Sequence, residues 1–180
     1  AVISWFSRRH HWKPKREWFI YTSGVVPALS AVIKALTNVG DKVLTLTPVY
    51  NCFFSSIRNN GCELDSCALR YENNTFSIDY EDLERRAADP KTTLMLLCNP
   101  HNPSGRVWTR EELRRIGDIC IKNNVVGVVD EIHCELVHPG ITDTPFASVS
   151  EEFQKHSVTC VAPSKAFNIA GLQIANIIVE

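Results

Sequence analysis

The sequence lacks any apolar run that approaches the roughly 20 residues of a membrane-spanning helix. Residues 1–6 also lack a basic leader followed by an apolar stretch, so no signal peptide is recognisable. The sequence also lacks an excess of charge of either sign, since its net charge is −1 at pH 7. The chain as a whole therefore has no electrostatic field that would attract nucleic acid or an anionic membrane. We therefore expect a cytoplasmic protein with no membrane partner and no nucleic-acid partner.

The seven cysteines include no C-x-x-C pair, and several lie inside apolar, strand-like runs. An odd count with this placement favours reduced thiols that pack as small apolar residues. A metal site or a nucleophilic cysteine is the alternative. We predict that the chain has no metal site.

The 180 residues are 44% hydrophobic and 22% charged, which is enough for one domain with a sizeable core. The chain has no methionine at position 1, and residues 176–180 end inside an apolar run. A buried strand needs neighbours for its backbone hydrogen bonds. We therefore expect the sequence to be a piece of a longer protein.

Short apolar runs alternate with segments of helical periodicity. The predicted strands are residues 18–21, 43–46, 63–69, 93–98, 125–129, 158–162 and 173–179. The predicted helices are 27–38, closed by Gly40, then 51–59, then 79–88 with Asp79 as N-cap, and one that starts with a Thr109–Glu112 capping box. This order predicts an α/β fold with a mostly parallel sheet flanked by helices on both faces.

Lys165 and Asp130 each follow a predicted buried strand, so both belong to the sheet edge where ligands of parallel sheets bind. A lysine and an aspartate in one crevice are what pyridoxal phosphate requires. The amine holds the aldehyde, and the carboxylate keeps the pyridine nitrogen protonated. A surface lysine, and a helix cap or ion pair at Asp130, are the alternatives.

A second motif, Ser23-Gly24-Val25-Val26-Pro27, joins a strand to a helix. Glycine permits a sharp turn and proline suits the first helical turn. Free backbone N–H groups at a helix start bind anions. We interpret the motif as a phosphate site to which Ser23 adds a hydroxyl, with a plain strand-to-helix turn as the alternative.

Three further residues follow predicted strands. Tyr50 could stack on a planar ring or simply pack. Asn102 lies in a loop of two prolines and a glycine, residues 99–105, which could aim its amide at a phenolate oxygen or be only a turn. His133, three residues after Asp130, could touch the same ring oxygen or be structural.

Five ordered motifs resemble those of fold type I pyridoxal-phosphate enzymes of the class I/II aminotransferase family. They are Ser-Gly-Val-Val, Pro-Val-Tyr, Asn-Pro-His-Asn-Pro-Ser-Gly, Asp-Glu-Ile-His and Ser-Lys-Ala-Phe-Asn-Ile-Ala-Gly-Leu-Gln, within residues 12–180. Their details resemble the MalY/PatB branch, whose members are cystathionine β-lyases and related C–S lyases.

The resemblance implies that Lys165 bonds to the cofactor and shuttles substrate protons, while Asp130 binds the pyridine nitrogen. The other implied cofactor contacts are ring stacking by Tyr50, O3′ contacts from Asn102 and His133, and phosphate contacts from Gly24, Val25 and Ser164. The chain departs from many relatives at Ala162, where they have serine or threonine, and at Gln173, where aminotransferases have arginine.

The resemblance also implies that residues 1–180 are the central part of the pyridoxal-phosphate-binding large domain, without the family's N-terminal arm and C-terminal small domain. It implies a homodimer in the full-length protein and an amino-acid substrate. The implied reaction is α,β-elimination on sulfur amino acids to pyruvate, ammonia and a thiol. Transamination and an inactive fragment are the alternatives.

Residues 8–16 form a basic cluster interleaved with aromatic residues. Nucleic-acid contact is one interpretation. The neutral total charge favours a solvated helix face or a dimer surface instead.

Overall fold

The computed structural model describes residues 1–180, in which strands and helices alternate. The strands are β1 (Phe19–Thr22), β2 (Lys42–Thr47), β3 (Glu63–Ala68), β4 (Arg70–Glu72), β5 (Thr75–Ser77), β6 (Thr92–Cys98), β7 (Val126–Asp130), β8 (Ser157–Val161) and β9 (Ala175–Ile178). The helices are α1 (Val2–Arg9), α2 (Val25–Leu36), α3 (Asn51–Asn59), α4 (Tyr80–Ala87), α5 (Arg110–Lys122) and α6 (Glu151–Lys155).

Seven strands form one sheet in the order β1-β9-β8-β7-β6-β2-β3, and β4 and β5 form a separate hairpin. Strands β2, β3, β6, β7 and β8 are mutually parallel, whereas β9 is antiparallel to both of its neighbours. The predicted mostly parallel sheet is confirmed. The direction of β9 was not predicted.

Helices cover both faces of the sheet, which explains the uninterrupted apolar strands. On one face, α2 and α3 pack Leu29 and Phe53 into a core that includes Val128. On the other, α4, α5 and α6 pack against residues that include Val129. Successive side chains of a strand point to opposite faces, so neighbours in β7 enter two different cores.

A smaller third core joins α1 to one end of the sheet, where Phe6 packs with Trp12, Trp18 and other residues. We expected residues 8–16 to be a solvated helix face or a dimer surface, and the lysine and arginine residues of the segment are exposed. His10, Trp12 and Pro14 are buried, and only part of the segment belongs to α1. The aromatic residues of this segment serve packing.

The capping signals at the starts of two helices were reliable guides. Helix α3 spans the predicted residues 51–59. Asp79 accepts a hydrogen bond from the backbone N–H of Asp82 at 3.2 Å, and Thr109 forms the predicted capping box with Glu112. The prediction for Gly40 was wrong, because α2 ends at Leu36 and Gly40 lies in the following turn with φ +89°.

The parallel strands end at one edge of the sheet, and β1 ends there as well because β9 is antiparallel to both β1 and β8. Strands β2 and β6 are neighbours, yet the chain leaves them in opposite directions along the sheet. Ligands of open α/β sheets bind at such a switch in strand order. Membrane-crossing helices are absent, since none has the required length and apolar character.

Candidate active site

Asp130 is the last residue of β7, and it is buried at the carboxyl edge of the sheet. Its Oδ1 accepts a hydrogen bond from the backbone N–H of Ile132 at 3.1 Å. Burial raises the pKa of Asp130 to about 7, while this hydrogen bond and the charge of Lys165 act in the opposite direction. A buried carboxylate without an ion-pair partner is costly, so the site favours a cationic or proton-bearing group beside Asp130.

Lys165 lies in the turn that follows β8, residues 163–168. The turn is closed by backbone hydrogen bonds from Phe167 to Pro163 at 3.0 Å and from Ile169 to Ser164 at 3.1 Å. The lysine side chain is exposed, and its charge lowers the pKa of both Asp130 and His133. The structure thus brings the lysine and the acid of the sequence motif to the same place.

His133 and Tyr50 are each affected by the charge of one member of this pair. His133 is half-buried in the turn after β7, and its pKa is lowered first by burial and then by the charge of Lys165. Tyr50 immediately precedes α3 and is 37% exposed. The pKa of Tyr50 is raised by the Cys52 side chain, then by burial, and further by the charge of Asp130. The charge of Asp130 thus acts on the Tyr50 phenol, and the charge of Lys165 acts on the His133 imidazole.

The loop after β6 places Asn102 near Asp130. The backbone N–H of Asn102 contacts Cys98 Sγ at 3.4 Å, and Cys98 is the register partner of Asp130 on the neighbouring strand. Buried His101 anchors the loop, since Nε2 lies 3.3 Å from the Leu46 carbonyl and Nδ1 lies 2.8 Å from Ser104 Oγ. A carbonyl only accepts, so Nε2 carries the proton and Nδ1 accepts from the serine hydroxyl.

The N-terminus of α2 lies at the same edge. Gly24 is its N-cap, with an extended φ of 172°, and no side chain caps the first turn. The first N–H groups of a helix have no partners within the helix, and the helix dipole favours an anion there. Ser23 is exposed beside this turn, and Ser164 is half-buried in the turn of Lys165. These groups together offer donors for a phosphate.

Sequence reasoning missed two buried residues that support the site. Glu131 Oε1 accepts hydrogen bonds from the Phe146 N–H at 2.7 Å and from Asn99 Nδ2 at 3.3 Å. Asn99 Nδ2 also donates to the Thr144 carbonyl at 2.9 Å. Asn99 begins the loop of Asn102, and Glu131 follows Asp130, so this contact joins the two segments. The only feature of the sequence that could have identified Asn99 and Glu131 is their position next to predicted motif residues.

A groove of about 800 Å³ borders the turn of Lys165 but does not include Asp130. It lies between α1, the start of β1 and the segment after β8. Its apolar lining includes Phe6, Phe19, Tyr21, Ala166, Phe167 and Ile174. The turn of Lys165 therefore has an extended apolar surface next to it.

Comparison with known proteins adds independent information. Residues 1–180 match the family model described as aminotransferase class I and II. The sequence is 47% identical over 179 residues to cystathionine beta-lyase PatB of Bacillus subtilis (strain 168), covering 99% of this chain and 46% of that protein.

Solved structures give the same fold. Cystalysin from Treponema denticola, whose crystal structure contains a pyridoxal 5′-phosphate cofactor, superposes with a TM-score of 0.98 at 40% identity, over 99% of this chain and 45% of that one. N-succinyldiaminopimelate aminotransferase from Mycobacterium tuberculosis superposes with a TM-score of 0.93 at 25% identity, over 99% and 46%. The chain thus spans about half the length of the proteins it matches.

Proposed function

Because the chain belongs to the aminotransferase class I and II family, we propose that it binds pyridoxal 5′-phosphate and contributes the central part of the cofactor-binding large domain to a longer protein. We propose that the whole protein is a cytoplasmic homodimer. Its reaction is α,β-elimination on sulfur amino acids, which yields pyruvate, ammonia and a thiol.

The state of Asp130 carries this proposal. Its buried carboxyl has a pKa raised to about 7 by burial and no ion-pair partner, so a cationic group beside it would stabilise its ionised form. The protonated nitrogen of a pyridine ring is such a countercharge, and an adjacent carboxylate keeps that nitrogen protonated. The Asp130 carboxyl therefore suits the protonated pyridine nitrogen of the cofactor.

The other residues of the site would contact different parts of the cofactor. Lys165 Nζ would bond to the aldehyde carbon, and Tyr50 would stack on the ring. Asn102 and His133 would contact O3′. The phosphate would be held by the Gly24 and Val25 N–H groups and by the hydroxyls of Ser23 and Ser164. The uncapped start of α2 supports the phosphate assignment.

When bound, pyridoxal phosphate accepts the electron pair left at the α-carbon of an amino acid after the α-proton is removed. Lys165, in the turn that follows β8, would take that proton with Nζ. The Asp130 carboxylate would lie beside the ring nitrogen and keep that nitrogen protonated. Burial and then the charge of Lys165 lower the pKa of half-buried His133, which favours its uncharged form.

Two observations bear on the outcome of the reaction. The 47% identity to a cystathionine beta-lyase and the 40% identity to cystalysin favour elimination. The similarity to an aminotransferase, at 25% identity, supports transamination as the second candidate. Both reactions begin with removal of the α-proton, so the residues of this chain serve either one.

A keto-acid requirement separates the two reactions. The full-length protein is incubated with cystathionine and cofactor, and pyruvate is measured with and without an added keto acid. Elimination releases pyruvate without the keto acid. Turnover that depends on the keto acid supports transamination, and absence of pyruvate from cystathionine and from cysteine conjugates contradicts the proposed lyase.

A further inference from the structure

His10, Cys134 and Glu135 form a cluster that the proposed reaction does not use. Their ligand atoms (imidazole nitrogen, thiol sulfur and carboxylate oxygen) all lie within 4.8 Å of one another. His10 Nε2 lies 2.6 Å from Glu135 Oε1, across a sequence separation of 125 residues. The cluster therefore joins α1 to the turn that follows β7. Nitrogen, sulfur and oxygen atoms of these three side chains are the ligand types of zinc sites.

Asp143 provides an independent sign of a missing partner. Its side chain is 1% exposed, and neither carboxylate oxygen has a hydrogen-bond partner. Oδ2 lies 3.5 Å from His10 Nδ1, which is also buried without a hydrogen bond. An unpaired buried carboxylate is costly. A metal-binding histidine usually donates its second ring N–H to a carboxylate, and Asp143 occupies that position.

We propose that His10, Cys134 and Glu135 bind one Zn²⁺ ion, with Asp143 orienting the imidazole. The ion replaces the hydrogen bond between His10 Nε2 and the Glu135 carboxylate. In this step the Nε2 proton passes to Nδ1, which donates to Asp143, and the Cys134 thiol proton leaves to solvent. The sequence alone led us to predict no metal site, because the ligands come from two distant segments.

The geometry leaves a fourth position open. Cys134 and Glu135 both line the groove of about 800 Å³, so an ion held by them is reachable from the groove. Zinc takes four ligands in a tetrahedron, and three protein ligands leave one place for water or another small ligand. Trp5 Nε1 donates to Glu135 Oε1 at 2.5 Å and Arg9 Nε lies 3.5 Å from Oε2, so the carboxylate is held in place.

The competing explanation is a protonated His10 that pairs with two carboxylates. It accounts for the 2.6 Å contact to Glu135. It gives no role to the buried Cys134 thiol among these ligands, and it leaves Asp143 with a single contact at 3.5 Å. A metal ion accounts for all four side chains together.

The test uses the full-length protein with its cofactor, stripped of metal by a chelator and then titrated with ZnCl₂ by calorimetry. We expect one Zn²⁺ per chain. Cys134→Ser and His10→Gln should each weaken binding at least 100-fold, and Asp143→Asn by about 10- to 100-fold. Cys52→Ser is the matched control, because this half-exposed thiol lies outside the cluster, and its affinity should equal that of the wild type.

Cobalt provides a second readout that needs no variant. Co²⁺ bound to the wild type should show the sulfur-to-cobalt charge-transfer band of a thiolate ligand and the visible bands of tetrahedral cobalt. Wild-type protein that takes up no zinc, cobalt bound without a thiolate band, or a Cys134→Ser variant with wild-type affinity would each overturn the proposal. These measurements do not depend on lyase activity, so the two proposals fail separately.

Discussion

The charge of Lys165 acts on the buried carboxyl of Asp130, although the two side chains form no ion pair. Burial raises the pKa of Asp130 to about 7, and the positive charge of Lys165 partly opposes this rise. The two residues leave the ends of neighbouring parallel strands, β8 and β7. An amine and an acid held in this relation at one sheet edge are the basis of the proposed cofactor site.

Replacing Asp130 by asparagine should flatten the pH dependence of stability in the cofactor-free protein. The folded pKa of about 7 lies above the ordinary value of 3.8, so between these values the folded state binds a proton that the unfolded state has released. Stability therefore falls as pH rises from about 4 to 7. In Asp130→Asn the decrease in the free energy of unfolding should be smaller than in the wild type by about 2–4 kcal/mol. Urea unfolding at pH 5 and pH 8 measures it.

The remaining slope in the Asn variant should be shallower but not zero. Burial also raises the pKa of Glu131 and of Asp143, the latter to about 8, and both act with the same sign. Identical pH profiles for the wild type and Asp130→Asn would show that Asp130 is not held in the buried state described above.

His101→Gln should reduce the loss of stability that occurs as pH falls, whereas Asp130→Asn reduces the loss that occurs as pH rises. Burial lowers the pKa of His101 to about 4 from 6.5, so the unfolded state takes up a proton first as pH falls through this window. Stability contributed by neutral His101 is present above pH 6.5 and is lost toward pH 4. The variant should lack this acid-side loss of up to about 3 kcal/mol. Exposed His138→Gln is the control for a histidine replaced outside the core.

Ser164→Ala should weaken cofactor binding by about 10- to 100-fold, because a hydrogen bond to a charged phosphate contributes about 1.5–3 kcal/mol. The measurement is a fluorescence or absorbance titration of the cofactor-free, full-length protein. Ser55→Ala, on the exposed side of α3, should leave the affinity unchanged. Equal affinities for both variants would remove Ser164 from the phosphate site.

Gly117→Ala should destabilise the protein, although alanine is the better helix former by about 1 kcal/mol. A Cβ at position 117 would lie 2.2 Å from Cε2 of buried Phe153, and such overpacking costs about 1–3 kcal/mol. Phe153→Leu in the same chain should recover part of the loss, as a double-mutant cycle would measure. Gly171→Ala, with open space around it, is the control.

The sequence predicted the sheet edge well because its signals are local. Apolar runs gave the parallel strands, and the Asp79 and Thr109 caps gave two helix starts. The ends of strands that run parallel to one another lie at the same edge of the sheet. For this reason Asp130 and Lys165, which follow the neighbouring parallel strands β7 and β8, could be expected at the same sheet edge.

The features that were missed depend on distant partners. Strand β9 runs antiparallel because it pairs with β1 and β8, which its own four residues do not encode. The burial of His10 results from Glu135 and Asp143, more than a hundred residues away. Helix α6 has only five residues and too little periodicity to be recognised.

Reductive trapping tests the central claim most directly. The full-length protein is incubated with pyridoxal phosphate, reduced with borohydride, digested and analysed by mass spectrometry. We expect one cofactor per chain, attached to Lys165, and loss of the label in Lys165→Ala but not in the exposed-lysine control Lys155→Ala. A label on other lysines with Lys165 unmodified, or no stoichiometric label at all, would contradict it.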